Sequence, residues 1–136
     1  MNPMNIYLFG NEDVKEDSAP FRLKKAIESQ FPHMSCFIVK PNEDLPFIDD
    51  PCPILIDTVY GISTESLFDQ SDRESILLSP RNTVHDFDLG FQLKYLYKIG
   101  ELKKWYLIGI PGDEPMDQDR VISILRKLVE QDIQGS

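Results

Sequence analysis

The chain has 136 residues, 41% hydrophobic, 10% aromatic and 27% charged, with 14 Lys and Arg against 23 Asp and Glu for a net charge of −9. That composition supplies one ordinary core, so a single domain over 1–136 is expected, and it lacks the aromatic-poor, charge-rich signature of disorder. The acid excess argues against nucleic acid as a partner, because backbone binding depends on Lys/Arg clusters that displace counterions.

No apolar segment approaches the roughly 18 residues of a membrane span, and the start MNPMNIYLFG has neither a basic region nor a cleavable apolar stretch. Cys36 and Cys52 form no CxxC or zinc-like spacing. The expectation is a reduced, cytoplasmic protein, not inserted in a membrane and working as a monomer. With only His33 and His85 in the chain, a His-rich metal site within one subunit is excluded, and any metal would rest largely on carboxylates.

In chain order, Met4 to Phe9 reads as a buried strand running into the loop at Gly10-Asn11. Ser18 is a plausible N-cap with Pro20 just inside a helix, and Phe21, Leu23, Ala26, Ile27 and Phe31 recur at helical spacing until Pro32. Met34 to Lys40 and Pro53 to Val59 read as the second and third strands, which places Asp57 at the carboxyl end of the third. Between Gly61 and Pro80 the pattern is weak, and Glu74 to Leu78 is the best candidate for an edge strand.

From Asp86 or Asp88 the sequence predicts a helix carrying Leu89, Leu93, Leu96 and Tyr97 on one face and stopping at Gly100, with His85 at its mouth. Trp105 to Ile110 is a further strand, broken by Pro111-Gly112. Val121, Ile122, Leu125, Leu128 and Val129 mark a last amphipathic helix that starts near Asp117 or Asp119. Strands alternating with helices predict an α/β fold, a three-layer α/β/α sandwich around a mainly parallel, twisted sheet with room for one antiparallel edge.

In open α/β sheets, ligands bind beyond the carboxyl ends of the strands. Three polar features map to that edge: the acidic loop after the first strand, Asp57, and His85. Carboxylates with one imidazole suit a borderline divalent metal such as nickel or zinc and leave coordination positions open. Each feature also has an ordinary role, the acids as a solvated loop, His85 as a helix cap. Asp57 is harder to explain that way, because it follows the apolar run PILI, where a carboxylate needs a partner or a function. No GxSxG, HExxH, GxxxxGK or GxGxxG sequence occurs. Cys36 reads as a core residue and Cys52, between two prolines, as structural.

At these residues the sequence resembles the hydrogenase maturation proteases, endopeptidases that trim the C-terminal extension of the large-subunit precursor of nickel-iron hydrogenases. The family pattern of a strand, Gly-Asn, four residues and a pair of acids opening a helix is matched by YLFGNEDVKEDSAP, with Gly10-Asn11 and Glu16-Asp17. An Asp ending a central strand is matched by ILIDTVYG, a His opening a later helix by NTVHDFDLGFQLKYL, and a late Ile-Gly-Ile segment by WYLIGIP.

The resemblance implies that Asp17, Asp57 and His85 are the metal contacts and the catalytic set, and that the nickel arrives with the precursor rather than being permanently bound. The partner it implies is the hydrogenase large-subunit precursor. A second expectation is a relative of the same fold that has lost peptidase activity and serves as an assembly or binding partner of a metalloenzyme. A third is a phospho-accepting receiver domain with Asp57 as acceptor, although Ile108-Gly109-Ile110-Pro111 lacks the late-strand Lys such a domain needs.

Overall fold

The computed structural model describes residues 5–9, 19–39, 50–59, 62–72, 104–111 and 116–135. Among the described residues five strands form one sheet: β1 (Asn5–Phe9), β2 (Ser35–Val39), β3 (Ile54–Val59), β4 (Ser66–Asp69) and β5 (Tyr106–Pro111), in the order β2-β1-β3-β5-β4. The first four in that order are mutually parallel, and β4 closes the edge antiparallel to β5. The fold is therefore α/β with a mixed, mostly parallel sheet.

Helix α1 (Ala19–Gln30) joins β1 to β2, and helix α2 (Gln118–Gly135) follows β5. Both pack on one face of the sheet. Leu23 and Ile27 of α1, four residues apart, and Val121, Leu125 and Leu128 of α2, at the same helical spacing, meet Ile6, Leu8, Cys36, Ile54, Ile56 and Ile108 in one buried cluster. Fully burying each Leu or Ile is worth about 1.5–3 kcal/mol, so this layer supplies much of the fold's stabilisation. The helices also touch each other: Arg126 lies 5.8 Å above the centre of the Phe31 ring and donates from Nη2 to Gln30 Oε1 at 3.1 Å.

Strand alternation turns Tyr7, Leu55 and Leu107 to the opposite face, where they are buried as well. The helix expected from Asp86 or Asp88 to Gly100 and the strand expected at Glu74 to Leu78 lie outside the described residues, so the described layers are the sheet and one helical face. Among the described residues the antiparallel strand is Ser66–Asp69, which the sequence pattern does not announce.

The ends of the elements follow local chemistry. Helix α1 stops ahead of Pro32, with the Phe31 amide donating to the Ile27 carbonyl at 2.8 Å and Met34 turning back onto Phe31. Helix α2 is capped by Asp117, whose Oδ1 accepts the Arg120 amide at 3.2 Å. That resolves the choice between Asp117 and Asp119.

Candidate functional site

Asp57 is 8% exposed and lies near the carboxyl end of β3, the central strand. Its predecessor Ile56 pairs with Leu8 of β1, and Asp57 itself pairs with Gly109 of β5. From β1 the chain moves outward to β2, whereas from β3 it builds the other half of the sheet with β5 and β4. The carboxyl ends of β1 and β3 therefore flank the point where connection direction reverses, the position at which open α/β sheets bind ligands.

The run Ile54-Leu55-Ile56 is buried on both faces, as expected of a central parallel strand, and Asp57 interrupts it. Alternation sets Asp57 with Leu55 and Val59, on the face away from α1 and α2. A carboxylate there costs several kcal/mol of desolvation unless it is hydrogen-bonded or paired, which marks Asp57 as more than a surface acid.

Beside Asp57 the sheet is tightly closed. A Cβ at Gly109 would fall 2.7 Å from Val59 Cγ2 and 2.9 Å from Phe68 Cε2, so glycine is required for β3 and β4 side chains to meet over β5. The same edge carries Glu65, 4% exposed and, with Asp57, one of two buried charged residues among those described. Because β4 runs antiparallel, its first residue Ser66 is level with Gly109, which brings Glu65 to the carboxyl end of the parallel strands. Glu65 Oε2 accepts the Asp117 amide at 2.7 Å, and the Glu65 carbonyl accepts Arg120 Nε at 3.0 Å. Glu65 thereby ties β4 to the first turn of α2. Sequence reasoning misses this residue, since GISTES reads as a polar loop and the pairing with Asp117 spans 52 positions.

Of the three expected metal contacts, only Asp57 falls within the described residues; Asp17 and His85 lie outside them. The chain leaves β1 at Phe9 on the edge that carries Asp57, and α1 takes it up again at Ala19. His33 is exposed in the turn leading into β2, at the far end of the strands from Asp57, so among the histidines His85 alone is left as a candidate contact. No group of three His, Cys, Asp or Glu side chains suited to a metal occurs among the described residues.

Cys36 does not have the character of a nucleophile. It is buried in the helix-side cluster, and burial pushes its thiol up to about 12. Cys52 is half-buried, and its amide donates to Asp50 Oδ1 at 3.0 Å. Asp50 also accepts the Tyr7 hydroxyl at 3.2 Å, and burial, with the Asp50 charge second, raises the Tyr7 pKa. These contacts lie before β3, at the end of the sheet opposite Asp57.

No protein-family model matches the chain, and no curated protein matches it. Among solved structures it is similar to the crystal structure of an uncharacterized protein from Wolinella succinogenes, with 18% identity, a TM-score of 0.52, and coverage of 99% of this chain and 100% of that one. At that identity the likeness is one of fold. No described helix is long and apolar enough to cross a membrane.

Proposed function

We propose that the chain is an endopeptidase of the hydrogenase maturation type, cutting the C-terminal extension from a nickel-iron hydrogenase large-subunit precursor after nickel insertion. The observation that carries this reading is the buried Asp57 at the carboxyl end of the central strand, beside the reversal point of the sheet. Asp17, Asp57 and His85 act in it as contacts to the nickel that the precursor brings, and the precursor's own ligands complete the coordination sphere. Hydrolysis adds one water across the scissile amide, the hydroxyl going to the carbonyl carbon and the proton to the leaving amine. A carboxylate at this edge is suited to take the proton from that water.

The mixed sheet favours this reading over a receiver domain, whose sheet has the order 2-1-3-4-5, because here β4 lies outside β5 and runs antiparallel.

The test incubates nickel-loaded precursor with the wild-type protein and with Asp17→Ala, Asp57→Asn and His85→Ala variants, following loss of the C-terminal peptide by mass. Removing groups that merely support a metal ligand costs 10- to 100-fold, so loss of a direct contact should slow cleavage by about 100-fold or more. Asp57→Asn keeps the side-chain shape and should leave the circular dichroism spectrum unchanged. Undiminished cleavage by all three variants would overturn the assignment, and binding of precursor without cleavage by the wild type would favour the assembly-partner role.

A further inference from the structure

We draw no further inference here: the strongest candidate, the outer edge of the sheet at β2, where Phe37 is 46% exposed and stacked on Tyr7, carries nothing because nothing in the structure shows what covers it.

Discussion

Glu65 and Cys36 show how burial gives a single residue a measurable signature. The Glu65 carboxylate accepts the Asp117 amide at the start of α2, and Glu65→Ala leaves that donor without its acceptor at a part-buried junction. An orphaned donor costs about 1–3 kcal/mol, so urea unfolding should show a loss in that range, while Glu65→Gln, which keeps an acceptor oxygen, should lose less. Equal losses for the two variants would mean that the charge, not the hydrogen bond, holds the junction. Cys36 gives a pH signature. Burial raises its pKa from 9.0 to about 12, so the folded chain keeps the thiol proton that the unfolded chain releases. Above the unfolded value the native state binds more protons, and stability falls as pH rises from 9.0 towards about 12. Denaturation midpoints across that window should decline in the wild type, and the decline should be shallower in Cys36→Ala.

At the scale of elements, the three-strand packing around Gly109 sets the tolerance of the edge that bears Asp57. Gly109→Ala would press a methyl onto Val59, two residues from Asp57, and onto Phe68. Overpacking of this kind costs about 1–3 kcal/mol, to be read from thermal or urea unfolding, and a neutral result would show that Phe68 swings aside freely. Much of this architecture is legible in the sequence. Apolar runs mark β1, β3 and β5 because a parallel sheet buries both faces of its inner strands, and edge strand β2 has an apolar run although Phe37 is exposed; Leu23, Ile27, Val121, Leu125 and Leu128 mark the helices because each helix buries one stripe. Strand β4 is not legible: Ser66-Leu67-Phe68-Asp69 is four residues long at an edge, Leu67 is exposed, and pairing with β5 rather than local pattern makes it a strand. Asp57 stands out because a charge interrupts an apolar strand. Glu65 does not, because the group its carboxylate holds, the Asp117 amide just ahead of α2, lies 52 positions later.

For the whole molecule, the ladder β1–β2 joins residues 5–9 to 35–39, whereas β3–β5 joins 54–59 to 106–111. Loop closure alone barely separates these events, since doubling a loop costs only about 0.6 kcal/mol. The pairing hierarchy decides instead. The β1–α1–β2 unit has its helix and both strands within one continuous stretch, while β4, whose partner among the described residues is β5, joins this sheet through β5 once that strand has docked on β3. Pulse-labelling hydrogen exchange during refolding should therefore protect amides of β1, α1 and β2 before those of β4 and β5, and simultaneous protection would contradict this order. During synthesis the same hierarchy becomes a clock. Until residues 106–111 have left the ribosome, β3 lacks its β5 partner and Asp57 its neighbour Gly109, so the edge that bears Asp57 is completed only once β5 docks.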